Sequence, residues 1–171
     1  MEVFSGNGVS GGVAIGKLAI YHRKPKEITN RYVEDVSLEI GRFEEAKKKT
    51  AMDLERLYQK ALSEVGEKEA AIFEVHKMML EDPQFCDSVK AIIQKEQINA
   101  EVAVNRTMLE ISKTFEAMDS EYMRERVADI RDVSRRLSAI LSGDDNDGVN
   151  FTEPSILLAD DLMPSETMQL E

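Results

Sequence analysis

EKEAAIFEVHKMMLEDPQF, residues 67–85, holds one helix, its end and the start of the next. A helix is expected from Glu67 to about Leu80. Asp82-Pro83 then supplies an N-cap and a first-turn proline for a second helix, with Phe85, Val89 and Ile92 on one side. Upstream, Val36, Ile40, Phe43, Lys47, Thr50, Leu54, Leu57 and Ala61 recur at alternating four- and three-residue spacing and line one face of a long helix. Lys47 fits if its stem lies along the core. Downstream, Asn99 can cap a helix bearing Val104, Met108, Ile111, Phe115 and Met118. Ser120 can cap another, bearing Met123, Val127, Ile130, Leu137 and Leu141, which Gly143 is placed to end. From Val33 to Leu141 the pattern is that of an antiparallel helical bundle.

The flanks read differently. Glycines cluster between Gly6 and Gly16, and Val13 to Tyr21 is rich in β-branched and aromatic residues, so a short strand near Val3 to Ser5, a glycine turn and a second strand are expected. Pro25 lies in a linker. GDDNDGVN reads as a loop, PSILLA as a short buried strand, and Pro164 as the start of a helix with Glu166 at the positive end of its dipole. The fold class is therefore mainly α, an antiparallel helical bundle inserted into an incomplete α/β domain. Its parts are 1–24 (first strands), 33–142 (bundle) and 150–171 (return strand and helix start).

Several functions are disfavoured by composition. With 22 basic and 33 acidic residues the formal charge of -11 opposes nucleic acid and anionic membranes, and favours a basic protein partner. No apolar run approaches a membrane span. The single cysteine, Cys86, cannot form an internal disulfide, and MEVFSGNG is no signal peptide, so a cytoplasmic protein is expected.

Tempting motifs fail on chemistry. Gly6, Gly8 and Gly11 match dinucleotide-binding spacing, but Val13 and Ile15 argue for a strand where a helix should open. Gly11 to Lys17 imitates a phosphate-binding loop, yet Leu18 follows the lysine in place of a hydroxyl. A di-iron bundle needs Glu-x-x-His pairs, and Phe73 stands three residues before His76. Cys86 has no ligand partners at metal spacing and suits a small buried position. Neither His22 nor His76 has the surroundings of a nucleophile. On residues alone, His76 is a helix-surface or partner-contact residue.

What stands out is a charge contrast. Glu64, Glu67, Glu69, Glu74, Glu81 and Asp82 make one helix acidic, with Met78, Met79 and Leu80 at its end, whereas Arg124, Arg126, Arg131, Arg135 and Arg136 lie on the last. These are either two solvated faces paired with each other or a docking surface with an apolar centre and a charged rim.

At these residues the chain resembles Enzyme I, the phosphoenolpyruvate-protein phosphotransferase of the bacterial sugar phosphotransferase system. Residues 67–85 are similar to its E-x-x-I-F-x-x-H-x-x-(M/L)-L-x-D helix, and EYMRERVADIRDVSRRL, residues 121–137, to its E-Y-(L/M)-x-E-R-x-x-D-(I/V)-R-D helix. GVSGGVAIGKL resembles the family's opening, except for glycine where proline is usual, and ILLADDLMPSETMQL resembles its strand and A-x-D-L-x-P-S-E-T segment. The family's phosphohistidine motif, G-G-x-x-S-H, is absent and is expected beyond Glu171.

The resemblance implies a phosphohistidine swivelling domain for the α/β part and docking of the histidine phosphocarrier protein by the helices. It implies no catalytic residue, cofactor or metal in this chain. Phosphoenolpyruvate and magnesium would be handled by a carboxy-terminal barrel, and the full-length parent would be a homodimer. Carried over position by position, the contact would use apolar Ala71, Ile72, Met78, Met79, Phe85, Phe115 and Met123. Glu67, Asp82 and Arg126 would set register and steer, with Lys68, His76 and Tyr122 beside them. The alternative from another class is a stand-alone helical adaptor for some other basic partner.

Overall fold

The computed structural model describes residues 8, 11–22, 28–143 and 153–170. The helices run α1 (Val36–Glu64), α2 (Glu67–Glu81), α3 (Pro83–Glu96), α4 (Ala100–Glu116), α5 (Glu121–Leu141) and α6 (Pro164–Thr167), with strands β1 (Lys17–Tyr21) and β2 (Ser155–Ala159). Local chemistry sets most boundaries. Asp35 accepts from Leu38 N–H at the start of α1, Asp82 accepts from Phe85 N–H at 3.0 Å with Pro83 in the first turn of α3, and Ser120 accepts from Met123 N–H. Gly66 (φ 108°) turns α1 into α2, and Gly143 (φ 68°) follows α5, backbone angles that favour glycine. Asn99 precedes α4 but makes no cap hydrogen bond. Its side chain accepts from Arg31 N–H and donates to Glu101 instead.

Five helices enclose one core around Phe43, Leu54, Phe73, Leu80, Val89, Ile93, Val104, Val133 and Leu137, each at most 2% exposed. Burying such side chains stabilises a fold by roughly 1.5–3 kcal/mol each. Lys47 lies over Phe43, its ammonium 6.0 Å from the ring centroid, and reaches Glu44 at 2.8 Å, so its stem does run along the core. Cys86 is buried beside it.

β1 and β2 pair in parallel, Lys17 with Ser155 through Tyr21 with Ala159, so the helices are inserted between two neighbouring strands. The strand expected from Val13 begins only at Lys17, because the register with β2 starts there. Val13 and Ile15 are 95% and 98% exposed. Nor is β2 a buried strand. Leu18 pairs with Ile156 and Ile20 with Leu158, and all four remain exposed, since no described element covers that face. The expected strand near Val3 to Ser5, the linker around Pro25 and most of the GDDNDGVN loop lie outside the described residues.

Arg42 holds three helix ends together. Its guanidinium donates to Glu39 on α1 (2.5 and 3.0 Å), to Glu101 on α4 (2.6 and 3.0 Å) and to the Leu141 carbonyl at the end of α5 (2.7 Å). Glu39 also accepts from Ala100 N–H at 2.6 Å, satisfying an otherwise unpaired donor at the buried start of α4. Burial alone would raise both carboxyls, but hydrogen bonds from Arg42, joined by Ala100 N–H at Glu39, hold them below the usual carboxylate range. Depressed carboxyls contribute stability that is full above an ordinary glutamate pKa, about 4.3, and is lost as pH falls below it. Arg42→Ala takes the nearest cation from two buried carboxylates, leaving Glu101 with Arg31 at 3.5 Å, and should cost about 3 kcal/mol in urea unfolding at pH 7. Without Arg42 the same carboxyls titrate higher in the fold, so protonation relieves them and the deficit should narrow by pH 4.

Candidate functional site

The expected contact residues fall into three groups. On α2, Lys68, Ala71 and Asp82 are exposed, and Ile72 and Met79 are half-buried against the core; Glu67 is exposed at its first turn. At the end of α4 and the start of α5, Phe115, Met123 and Arg126 are half-buried and Tyr122 is 60% exposed. The third group departs from the contact surface. His76 is 0% exposed and Phe85 2%, the latter edge-on to Phe43 with centroids 6.3 Å apart, so both are interior residues. His76 lies three residues after buried Phe73 and Phe85 four before buried Val89, so each falls on the inward face of its helix. Met78 is exposed but lines a groove of about 300 Å³ between α1 and α2, with Tyr58 and Lys77.

α5 packs on both α2 and α4, and His76 lies between α2 and α5. Its Nε2 stands 3.4 Å from an Asp129 oxygen and its Nδ1 3.9 Å from Asp132, while neither ring nitrogen makes a full hydrogen bond. Phe73 packs edge-on to the imidazole at 5.9 Å. Asp129 is itself taken by Arg126 at 2.9 Å. Burial would raise the Asp129 carboxyl, but His76 and Arg126 beside it outweigh that and hold it below its ordinary value. Arg126 donates also to the Tyr122 hydroxyl at 2.6 Å and lies over that ring, 4.6 Å from its centroid. The guanidinium is thus held at the seam with its proton bound more tightly than usual, chiefly by Asp129 and then Tyr122.

The arginines of α5 do not mirror the acids of α2. Arg131 pairs with Glu116 on α4, Arg135 with Glu166 on α6, and Arg124 donates to the Met118 carbonyl. The acids of α2 therefore keep an outward face, though Lys77 reaches across to Glu55 on α1.

Two features escaped sequence reasoning. Asp132 accepts from both the backbone N–H and the hydroxyl of Ser165, fastening α6 to α5. A cleft of about 640 Å³ opens between α1, α5 and α6, with Lys49, Arg56, Arg135 and Arg136 among its walls. The spacing of Asp129 and Asp132, one helical turn apart among arginines, is the signal that could have marked the first. His22 is exposed and 4.0 Å from Asp160.

Comparison with known proteins was made against this geometry. Residues 5–126 match the family of PEP-utilising enzymes, N-terminal. The chain is 42% identical over 175 residues to a phosphoenolpyruvate-protein phosphotransferase of Geobacillus stearothermophilus, and 37% identical over 171 residues to that of Bacillus subtilis (strain 168). Each alignment takes in 99% of this chain but only 29% and 30% of the relative, so the chain spans under a third of the curated relatives it matches. An NMR solution structure of Enzyme I (nEIt) superposes with a TM-score of 0.77 at 33% identity, covering 95% of this chain and 66% of that one. The N-terminal domain of Enzyme 1 (Nitrogen) gives 0.72 at 25% identity, covering 94% and 66%.

Because Phe85 is interior, Phe85→Ala should act on stability, costing about 3 kcal/mol through the lost contact and the cavity left behind. Thermal unfolding of the variant, with its melting point lowered by several degrees, checks that placement.

Proposed function

The chain belongs to the PEP-utilising enzyme family as an amino-terminal portion of Enzyme I, and from that premise we propose that it docks the histidine phosphocarrier protein on the seam between α2 and α5. One observation carries the reading. Half-buried apolar side chains, Ile72 and Met79 on α2, Phe115 on α4 and Met123 on α5, lie with exposed acids and one held guanidinium, Arg126, on three helices of which α5 packs on both others. That is an apolar centre with a charged rim, the arrangement of a protein contact. A chain of charge -11 favours a basic partner, and Glu67 and Asp82 would steer it.

Relative to the contact set expected from sequence, His76 and Phe85 act from inside, holding the seam and the base of α3. Met78 would belong to the rim. The helices form an antiparallel bundle, residues 33–142, set into a phosphohistidine swivelling unit whose strands here come from 1–24 and 150–171. The parent transfers phosphate from phosphoenolpyruvate to a histidine and on to the carrier, in the cytoplasm and as a homodimer. Phosphoryl transfer rests mainly on alignment and charge stabilisation, and this chain contributes the alignment. Magnesium belongs to the parent's carboxy-terminal barrel. Among the described residues the buried carboxylates do not fit it, since Asp129 is held by Arg126 and Asp132 by Ser165. No step is routed through it here. Neither His22 nor His76 carries phosphate in this reading.

The proposal is tested by calorimetry with purified carrier. Met79→Ala should weaken binding by about 1–2 kcal/mol while leaving the melting point nearly unchanged. Stopped-flow association should slow as salt rises, because the screening length shrinks to about 8 Å at physiological ionic strength. Equal affinity for wild type and Met79→Ala, with a salt-independent rate, would take docking away from this seam.

A further inference from the structure

Five residues lie in succession from the flank of α5 to α6, hydrogen-bonded at both ends and joined at His76 by two looser contacts. Arg126 donates to one oxygen of Asp129 at 2.9 Å, and the other oxygen stands 3.4 Å from His76 Nε2. His76 Nδ1 stands 3.9 Å from Asp132 Oδ2, and that same oxygen accepts from Ser165 N–H at 3.0 Å. The outer end, Arg126, is partly exposed. The inner members are not: His76 is 0% exposed, Asp132 3% and Ser165 4%. With no full hydrogen bond at either ring nitrogen, His76 is oriented by packing and by the two carboxylates it faces. A shift of one carboxylate therefore moves the balance at the other, in a low-dielectric setting where such contacts are strong.

We infer that this line couples occupancy of the seam to the seating of α6. His76 and Asp132 are its positioning residues. A partner group that draws the Arg126 guanidinium away from Asp129 frees that carboxylate to take His76 more fully, which draws the ring from its 3.9 Å contact with Asp132 and changes the packing and charge behind the seat of Ser165. By linkage, loosening α6 alters docking to the same degree. The occupant of Arg126 rests on the docking reading above, whereas the coupling between Arg126 and Ser165 is a property of this chain alone. A second tie, Arg135 to Glu166, keeps α6 on α5 when the first is weakened, so the effect is graded and does not require unfolding.

The Ser165 amide reports directly, and its hydrogen exchange can be followed by NMR in the whole chain, with the buried α3 residue Ile93 as internal reference. Arg126→Ala should change the exchange of Ser165 relative to Ile93 by roughly five-fold or more, the usual lower bound of such couplings. Arg131→Ala, which removes an exposed pair on the same helix, should leave the ratio unchanged. His76→Asn should change the ratio as well, and adding Arg126→Ala to it should produce no further change, since the line is already cut. A ratio equal in wild type and Arg126→Ala, or additive effects in the double variant, overturns the inference. The carrier separates the two claims. Binding that leaves the Ser165 ratio untouched overturns the coupling to docking while the docking reading stands. Absence of binding removes the docking reading, and the Arg126→Ala ratio then decides the coupling by itself.

Discussion

The Arg42 guanidinium is the constraint on which the helical part depends. It meets the start of α1, the start of α4 and the end of α5 at once, and takes two nearly buried carboxylates at 2.5 and 2.6 Å, closer than Arg31, 3.5 Å from Glu101. Exposed pairs such as Lys17 with Glu153 contribute little, because water and salt screen them. A buried cluster is different. It is tolerated only when every donor and acceptor is met, and so it admits few alternative arrangements of the helices. The segment before α1 adds to this closure, since Val33 N–H donates to the Gln97 carbonyl, Asn99 N–H to the Arg31 carbonyl, and Tyr32 bridges Ile98. With three helix ends fixed, the apolar stripes of α1 to α5 have one way to meet, and the α2–α5 seam follows from that.

At the other end of α5 the polar groups serve a different purpose. Asp129 and Asp132, one turn apart, both face His76 of α2, and Asp132 also holds Ser165, so a single helix joins α2 to the segment after β2. Tyr21 adds a link to the sheet by donating its hydroxyl to Glu166 at 2.9 Å, and Glu166 also accepts from Met163 N–H. The return of the chain after β2 is thereby tied both to the strand before it and to the helices. Fixing two parts of a chain relative to each other needs a junction of this kind, made of directional contacts on rigid elements.

Much of the helical part was legible because its signals are local. Asp82 and Ser120 fix helix starts by accepting from N–H groups three positions on, Pro83 by its fixed φ, and the four-three spacing identifies the buried side of α1 without reference to any neighbour. Strands depend on distant partners, which is why Val13 and Ile15 read as strand residues yet stand free, and why Ile156 and Leu158 read as buried yet stand exposed. The interior of the seam was hidden for the same reason. His76 is a polar residue at a core position, and its acceptors lie more than fifty positions along the chain. Arg42 looked like one charge among many until Glu101 and Leu141 were placed beside it. The exposure of Lys68 and Ala71 on α2 accords with the face read from sequence, but the inward turn of His76 and Phe85 emerges only from the packing.

The central claim, that the α2–α5 seam receives the histidine phosphocarrier protein, is tested most directly by titrating the isotope-labelled chain with unlabelled carrier and following its amide resonances. The account predicts the largest shifts at Lys68, Ala71, Ile72, Met79 and Asp82 on α2 and at Phe115, Tyr122, Met123 and Arg126 across the seam, with α3 little changed. Shifts concentrated on the exposed sheet face around Leu18 and Ile156, or on the cleft wall at Lys49 and Arg56, with the seam silent at saturation, would contradict it.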